Sequence, residues 1–495
     1  MNEYQFFSPV DVVFGCGSLS KLHTLKMPGK KALLVISNGK SARMNGSLDR
    51  TIDELKQADV SYVLYNGIGA NPLKSAVEEG ARIGRENGVD FVIALGGGSV
   101  MDAAKNMAMF IPQPSDNLWD YANSPSGGKM TPPNEMLPWI AITTSAGTGS
   151  EVDTIGVISN PDTNEKIGIG GMAGMFAKYA IVDPELMKTV PPKFTAYQGF
   201  DALFHSLEGY ISNKHNIMGD MIQRAAIENI GHYLARAVKD GNDIEAREHV
   251  AYANTMSGYS MVVTSCISEH SMEHAMSAYH PELPHGAGLI MLSKEYFTFW
   301  INKHVCDERF IDMAHFLGME NASKPEDFIT ALLELQKACG VDDLKMSDYG
   351  IKKEEAMTLA KNARATMMRL FVRDPQETTD EEIAGTACIK DSSYGSSLQS
   401  DLSWESAKVR THGYSIQFVC HTEMYLPQCH AVPDASDSPD IAGHRSFPTV
   451  RHNHVLYKIP HESPRYPPAG RHTALHNTAS RPSGHYPNGS SDKGN

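Results

Sequence analysis

The chain has 495 residues, a formal net charge of −14 and seven cysteines. Its length allows two domains of ordinary size, and its negative charge argues against binding to nucleic acid or to an anionic membrane, because polyanions would be repelled. No apolar run approaches the roughly 20 residues that cross a bilayer, the start resembles no signal peptide, and the sparse cysteines form no CxxC pair, so we expect a cytoplasmic protein with reduced thiols.

The first part of the chain alternates short β-type runs with helical runs. Strands are predicted at residues 31–36, 61–65, 91–95, 138–142 and 180–182. Amphipathic helices are predicted at residues 48–58 and 73–87. This alternation is typical of a parallel sheet with helices on both faces, and it predicts an α/β domain over residues 1–186.

A glycine-rich turn, Gly96 to Ser99, follows the strand predicted at 91–95. Glycines let backbone N–H groups approach a pyrophosphate closely, and the N-terminus of the following helix adds favourable partial charge. Ser99 and Asp102 also match a helix-capping signal. The turn is not GxGxxG, so the ordinary Rossmann fingerprint is absent, but its place after a parallel strand favours a phosphate site over a plain loop.

A second loop, Thr143 to Glu151, follows another predicted strand and is rich in small hydroxyl residues. By itself this composition is also typical of a surface loop. Two such loops after strands of one sheet are expected to converge on one ligand at the carboxyl ends of the strands.

From about Pro191 the period becomes helical, which predicts an all-helical domain over residues 187–394. Apolar residues recur at the spacing i, i+3, i+4 and i+7 in Phe200, Leu203, Phe204 and Leu207. The segment from Met256 to Tyr279 is predicted to be one long helix.

Acidic and histidine residues in this helical region have the spacing of metal ligands. On a helix, positions four apart share a face, so Asp201 is expected beside His205, and His270 beside His274. A further histidine follows at His285. One carboxylate and two or three imidazoles are enough to hold a divalent metal. Each histidine alone is typical of a structural side chain, but the joint pattern predicts a metal site, with His274 as either a ligand or a substrate contact.

Residues 395–495 have a different character. They contain ten of the 21 histidines and ten of the 27 prolines, with little hydrophobic periodicity and no regular ligand spacing. Such a segment buries too little apolar surface to offset its ordering entropy, so a disordered tail is predicted.

Four segments in order, GGGSVMDAAK, TTSAGTGSEVD, GFDALFHSLEGYIS and HSMEHAMSAYHPELPHGAGL, resemble the iron-containing (group III) alcohol dehydrogenases. That family includes propanediol and butanol dehydrogenases and lactaldehyde reductase. The resemblance covers the chain from about Tyr4 to Tyr394. It implies an α/β dinucleotide-binding domain and an all-helical metal-binding domain, the architecture of dehydroquinate synthase, with the metal in the cleft between them.

The resemblance also assigns roles to residues. It implies that the metal ligands are Asp201, His205, His270 and His285, and that His274 lies near the nicotinamide as the catalytic histidine. It implies that the cofactor is bound by Asn71, Gly97, Gly98, Ser99, Asp102, Thr144, Ser145 and Lys166. The spacing between His274 and His285 is one residue longer than in some relatives, which loop variation can absorb.

These assignments predict an oxidoreductase that interconverts a primary alcohol and its aldehyde, with NAD(P) as hydride carrier and a small-molecule substrate. The ligands do not by themselves separate Fe(II) from Zn(II), and the resemblance favours iron. A homo-oligomer is also expected. Two alternatives are a lyase of dehydroquinate-synthase type, which would need a cluster of Lys and Arg near the metal, and an inactive homologue.

Cofactor choice is predicted from the loop after the strand at 31–36. An enzyme that prefers NAD places a carboxylate there, which repels the 2′-phosphate of NADP. This loop has no carboxylate and carries Lys40 and Arg43, which can attract a phosphate or simply be solvated surface charges. We expect NADPH to be accepted at least as well as NADH.

Overall fold

The computed structural model describes residues 2–386, so the tail predicted at 395–495 lies outside the described residues. Within the described range the strands are β1 (Asp11–Phe14), β2 (Lys31–Ser37), β3 (Ser61–Ile68), β4 (Phe91–Gly96), β5 (Trp139–Thr143), β6 (Ile155–Asn160), β7 (Glu165–Gly170) and β8 (Tyr179–Val182). Six of them form one sheet in the order β1-β8-β5-β4-β2-β3, and every pair in it is parallel. The predicted parallel sheet is therefore confirmed.

The apolar runs of the central strands are buried on both faces of the sheet. In β2, Leu33 and Val35 face one hydrophobic cluster, whereas Leu34 and Ile36 face another. Strands that are covered on both faces have no polar alternation, which is why they read as continuous apolar runs. Strand β2 lies between β3 on one side and β4 on the other, so the direction of the strand order reverses at this point. In a parallel sheet such a reversal leaves a crevice at the carboxyl ends of the strands.

The sequence interpretation missed β1 and the antiparallel hairpin of β6 and β7. The hairpin has a recognisable signal, because β-branched residues are frequent on both sides of a Pro-Asp-Thr-Asn turn, at Ile155, Val157, Ile158, Ile167 and Ile169. The hairpin packs on α4 and on two helices of the later region.

The helices before residue 187 are α1 (Ser41–Met44), α2 (Ser47–Gln57), α3 (Lys74–Asn87) and α4 (Gly98–Phe110). The later helices are α5 (Pro192–Ile211), α6 (Ile217–Lys239), α7 (Ile244–Val263), α8 (Ser268–Tyr279), α9 (His285–Asn302), α10 (Asp307–Phe316), α11 (Glu326–Ala338), α12 (Ala356–Phe371) and α13 (Asp380–Thr386). They share a hydrophobic core of their own, in which Phe200, Leu203, Phe204 and Leu207 are fully buried, as their spacing predicted. No helix among residues 2–386 has the length and apolar character of a membrane span.

The prediction of a single helix from Met256 to Tyr279 is wrong, because α7 ends at Val263 and α8 begins at Ser268. Between them Ser265 has a φ of 73°, a left-handed conformation that interrupts a helix. Two buried carboxylates stabilise the new helix start. Glu208 accepts a hydrogen bond from the N–H of Ile267 at 2.8 Å, and Asp374 accepts one from the N–H of Ser268 at 3.0 Å. Side-chain oxygens at a helix N-terminus satisfy N–H groups that have no partner within the helix.

The predicted capping role of Ser99 and Asp102 is also wrong. Helix α4 begins at Gly98 with Gly97 at the N-cap, so Ser99 already lies inside the first turn. Asp102 instead accepts hydrogen bonds from the Ser150 hydroxyl at 2.6 Å and from the N–H of Val157 at 2.9 Å. The cap position holds no side chain because the loop after β5 approaches this turn closely.

Candidate active site

A cleft of about 1150 Å³ is lined both by loops at the carboxyl edge of the sheet and by residues of the helical region. The loops after β2, β3, β4 and β5 contribute residues that include Asn38, Asn71, Gly97 and Ser145. The helices contribute Asp201 and His205 from α5, His270 and His274 from α8, and His285 from α9. The cleft therefore joins the predicted phosphate loop and the predicted metal ligands.

The predicted metal ligands meet around one carboxylate oxygen. The Nε2 atoms of His270 and His285 each lie 3.5 Å from Oδ1 of Asp201. These three residues form a set whose ligand atoms all lie within 4.8 Å of one another. His205 adjoins this set, since its Nδ1 lies 3.7 Å from the same oxygen and its ring stacks on His270 with a centroid distance of 4.2 Å.

Three of these atoms are buried polar atoms without a hydrogen-bond partner among the described residues: Oδ1 of Asp201, Nδ1 of His205 and Nε2 of His270. An unsatisfied buried polar atom costs roughly 1–3 kcal/mol, and three around one point are unexpected in a core. A divalent cation would satisfy them, because one carboxylate oxygen and imidazole nitrogens are a suitable donor set for iron or zinc. The residues present therefore fit the implied metal.

Two of the histidines are held by buried glutamates. Glu208 is bonded to Nδ1 of His270, and Glu273 is bonded to Nδ1 of His285. Glu273 also accepts a hydrogen bond from Lys166 Nζ at 3.2 Å. A carboxylate on Nδ1 fixes the ring orientation and leaves Nε2 available to a metal, as is usual for metal-binding histidines.

Burial and the histidine–glutamate pairs determine the protonation of the side chains in this cluster. Burial and the neighbouring His270 lower the pKa of His205 to about 3, so its ring is neutral. Burial opposes ionisation of Glu273, but His285 and Lys166 together lower its pKa to about 2. Despite their burial, Glu208 raises the pKa of His270 well above its usual range and Glu273 raises the pKa of His285, so these two rings would release a proton when a metal binds.

His274 lies next to the set without joining the contacts to Asp201. Its ring centroid is 5.3 Å from that of His285, and its Nδ1 is 3.0 Å from the sulfur of Met367. Burial, followed by the charge of Lys166, holds the pKa of His274 well below its usual range. The ring is therefore neutral and lines the cleft beside the predicted metal position.

The two loops predicted to converge do meet. A Cβ atom on Gly97 would lie 2.6 Å from Oγ of Ser145, and one on Gly98 would lie 2.8 Å from Oγ1 of Thr148. Only glycine allows this approach, which keeps the first N–H groups of α4 at the cleft. Of the predicted cofactor residues, those lining the cleft are Asn71, Gly97, Gly98, Ser99, Asp102, Ser145 and Lys166. Thr144 is not in that lining; its N–H donates to the carbonyl of Gly96 at 3.0 Å.

The sequence interpretation missed Glu208 and Glu273, although a signal existed for both. Glu208 is two helical turns after Asp201 on the same face of α5, and Glu273 is one turn after His270 on α8. It also missed Arg369 and Arg373, which line the cleft from the end of α12. The sequence of α12 gives no indication of which elements pack against it.

Comparison with known proteins agrees with this geometry. Residues 9–184 match the family model described as iron-containing alcohol dehydrogenase. Residues 195–389 match the model described as the C-terminal part of the Fe-containing alcohol dehydrogenase family.

Individual relatives give the same result. The chain is 31% identical to the NADH-dependent butanol dehydrogenase A of Clostridium acetobutylicum over 375 residues, which cover 73% of this chain and 93% of that protein. It is 33% identical to the NADPH-dependent butanol dehydrogenase of Clostridium saccharobutylicum over 356 residues, which cover 71% of this chain and 88% of that protein.

Among solved structures, an archaeal halo-thermophilic alcohol dehydrogenase from a Red Sea brine pool superimposes with a TM-score of 0.73 and 33% identity, covering 78% of this chain and 98% of that one. These matches support alcohol and aldehyde oxidoreduction over the lyase alternative. The chain belongs to the iron-containing alcohol dehydrogenase family, the iron-dependent and NAD(P)-dependent oxidoreductases that interconvert alcohols and aldehydes.

Proposed function

We propose that this enzyme interconverts a primary alcohol and its aldehyde, with Fe(II) held by Asp201, His205, His270 and His285. The observation that carries the proposal is the convergence of unsatisfied polar atoms on Oδ1 of Asp201 at one end of a cleft. The cleft also contains the glycine turn from Gly97 to Ser99. A metal and a dinucleotide can thus occupy the same cleft.

Each side chain then has a defined task. When bound, the iron supplies Lewis-acid stabilisation of the substrate oxygen, and the nicotinamide accepts or donates the hydride. Glu208 and Glu273 hold His270 and His285 in the orientation that directs Nε2 at Asp201. We assign His274 to the transfer of the hydroxyl proton out of the cleft, because its neutral ring lines the cleft beside the ligands.

The cofactor assignment rests on the edge of the sheet. The free N–H groups at the start of α4, from Gly98 and Ser99, are suited to the pyrophosphate. Asn71 lines the same cleft from the loop after β3, and Lys166 lines it from β7. Both oxygens of Asp102 accept hydrogen bonds within the protein, so we propose that Asp102 supports the cofactor site by holding the β6–β7 hairpin against α4.

The division of the chain is also a proposal. A dinucleotide-binding domain over 1–186 and a metal-binding domain over 187–394 are supported by the absence of strands in the described residues after Val182 and by the start of α5 at Pro192. Assembly as a homo-oligomer, a cytoplasmic location and the lack of nucleic-acid or membrane partners stay predictions from the sequence.

The test is a panel of aldehydes from ethanal to hexanal with NADH and with NADPH, using the full chain after removal of metal and reconstitution with Fe(II) or Zn(II). Oxidation of the reduced cofactor, followed by its absorbance, should require the metal and be faster with iron. Turnover of the metal-free enzyme at the rate of the reconstituted enzyme would contradict the proposal.

A further inference from the structure

Two arginines near the end of α12 line the same cleft as the histidines. Arg369 lies in the last turn of the helix, which ends at Phe371, and Arg373 follows two residues later. Neither side chain has a carboxylate within ion-pair distance among residues 2–386. By contrast, Arg364 on the same helix is paired with Asp380 at 2.6 Å, and Lys166 in the cleft is paired with Glu273 at 3.2 Å.

Each arginine makes only a long contact to the main chain. Nη2 of Arg369 donates to the carbonyl of Gly168 at 3.3 Å, and Nη1 of Arg373 donates to the carbonyl of Thr264 at 3.3 Å. A guanidinium has five N–H donors, so most of the donors of both groups remain available. Two like charges that lie close together without a counter-charge are a suitable receptor for an anion.

The arginines belong to the substrate end of the cleft. Their main-chain partners are on β7, which carries Lys166, and immediately after α7, next to Cys266. The charges of both arginines act on the Cys266 thiol, whose pKa burial nevertheless raises to about 11. The charge of Arg369 also acts on His274. Both groups are therefore near the histidine cluster.

Apolar side chains complete this part of the cleft, among them Met261, Val262, Met367 and Leu370. A short hydrocarbon chain fits such a lining, because removing CH₂ groups from water is favourable. The lining thus combines a predicted metal position, an apolar wall and two arginines without a carboxylate partner.

We propose that the substrate of this enzyme carries an anionic group, a carboxylate or a phosphoryl group, a few carbons from the reacting carbon, and that Arg369 and Arg373 bind it. The proposal rests on the proposed alcohol and aldehyde chemistry and adds the substrate class. The anionic group takes no part in the redox step. With 4-oxobutanoate, the reduced nicotinamide transfers a hydride to the aldehyde carbon and a proton is added to its oxygen, which gives 4-hydroxybutanoate and the oxidised cofactor.

The test compares charged and uncharged aldehydes on the iron-reconstituted full chain. The probes are 4-oxobutanoate, glycolaldehyde phosphate and the uncharged 4-oxobutanamide. Because charge-assisted hydrogen bonds contribute about 1.5–3 kcal/mol, kcat/KM for at least one anion should exceed that for the amide by roughly 10- to 100-fold. The preferred anion identifies the group that is bound. The preference should decrease at high ionic strength, since the cleft is open to solvent.

Arg369→Gln and Arg373→Gln should each reduce the ratio of kcat/KM for the preferred anion to that for the amide, mainly through KM, and Arg→Lys at either position should restore part of it. Lys361→Gln is the matched control, because Lys361 is an exposed cation on α12 outside the cleft lining, and it should leave the ratio unchanged. Good turnover of 4-oxobutanamide without preference for either anion would overturn the proposal. So would Gln variants that weaken NAD(P)H binding but leave the ratio unchanged. Failure of both anions while butanal is turned over would overturn it as well, whereas failure of butanal too would contradict the proposed function.

Discussion

At the scale of single residues, the chemistry depends on polar atoms that the protein leaves without partners. The fold buries Asp201 with one oxygen unsatisfied and surrounds that oxygen with imidazoles. Such an arrangement opposes folding unless a ligand satisfies it, because buried polar groups are normally hydrogen-bonded. Metal binding and stability should therefore be coupled in this enzyme.

His270→Ala should lose bound iron and turnover together while the fold persists. Mutation of outer partners of metal ligands already costs about 10- to 100-fold in affinity or activity, so loss of a ligand should cost more than that. Iron content, kcat with butanal and circular dichroism measure the three effects. His280→Ala is the control, because His280 pairs with Glu355 at 3.3 Å and lies outside the ligand set. Retention of iron by His270→Ala at the wild-type level would show that the site lies elsewhere.

The raised pKa of the Asp374 carboxyl should make the stability of the folded state depend on pH. Burial raises the pKa of its carboxyl from 3.8 to about 8, so between these values the folded state keeps a proton that the unfolded state releases. The contribution of this group to stability is thus fully present below pH 3.8 and is lost as the pH rises to about 8. Asp374→Asn keeps the acceptor for Ser268 and removes the titration. The Tm of the variant minus that of wild type should increase from pH 5 to pH 8.

The control for this pH effect is Asp116→Asn, because the Asp116 side chain is 97% exposed. Its Tm should follow that of wild type at every pH. If the difference in Tm between Asp374→Asn and wild type stays constant from pH 5 to pH 8, Asp374 does not titrate as we expect.

The loop after β2 remains the predicted determinant of cofactor choice. Ser37, Asn38 and Gly39 line the cleft, and the exposed Lys40 follows them. NADPH should be accepted at least as well as NADH, and Lys40→Glu should weaken NADPH more than NADH, since a carboxylate repels the 2′-phosphate. Steady-state kinetics with both cofactors measure this. A preference of about a hundredfold for NADH in wild type would show that the loop does not bind the phosphate.

At the scale of elements, the loop after β5 is joined to helix α7 by side-chain hydrogen bonds and by a direct backbone contact. The N–H of Gly149 donates to Asn254 at 2.8 Å, and Asn254 in turn donates to Glu151 at 2.8 Å. Gly149 has a φ of 62° and its backbone lies against Gly258 on α7. The glycines allow a direct backbone contact between the loop after β5 and helix α7.

Gly258→Ala should disturb this contact, because the new Cβ would collide with the carbonyl oxygen of Gly149 and lie 2.6 Å from Val152. Overpacking of this kind costs about 1–3 kcal/mol, and the shift of the loop should also raise KM for the cofactor. Thermal unfolding and cofactor kinetics measure the two effects. Gly385→Ala is the control, since a Cβ at Gly385 meets nothing within 4 Å. Equal stability of both variants would exclude a tight contact at Gly258.

At the scale of the whole molecule, every residue that we propose for the site lies within residues 2–386. The four predicted ligands, the glycine turn and the two cationic side chains all belong to residues 2–386. The matches to the family models end at residue 389. We therefore predict that the proposed site forms without the rest of the chain.

Cutting the chain after Gly395 should leave activity and Tm little changed, because the sequence of the tail lacks the hydrophobic periodicity that forms a core. Specific activity of the iron-reconstituted enzyme and its melting curve, compared with those of the full chain, test this. A large decrease in either would show that the tail packs on the catalytic body.

The sequence alone was sufficient for the features that have a local period. Continuous apolar runs such as Phe91 to Leu95 identified central strands, since a strand buried on both faces has no polar alternation. The spacing of four residues placed Asp201 beside His205 and His270 beside His274, because positions four apart share a helix face. The ordered motifs identified the family.

Contacts between distant segments were decided only by the tertiary structure. The break between α7 and α8 depends on Glu208 and Asp374, which reach the new helix start from other helices. Arg369 and Arg373 line the same cleft as the histidines, because α12 packs against α8. A local period determines which face of an element is buried, but not which element covers that face. The latter depends on the packing of helices far apart in the chain, and that packing sets the charge of the cleft.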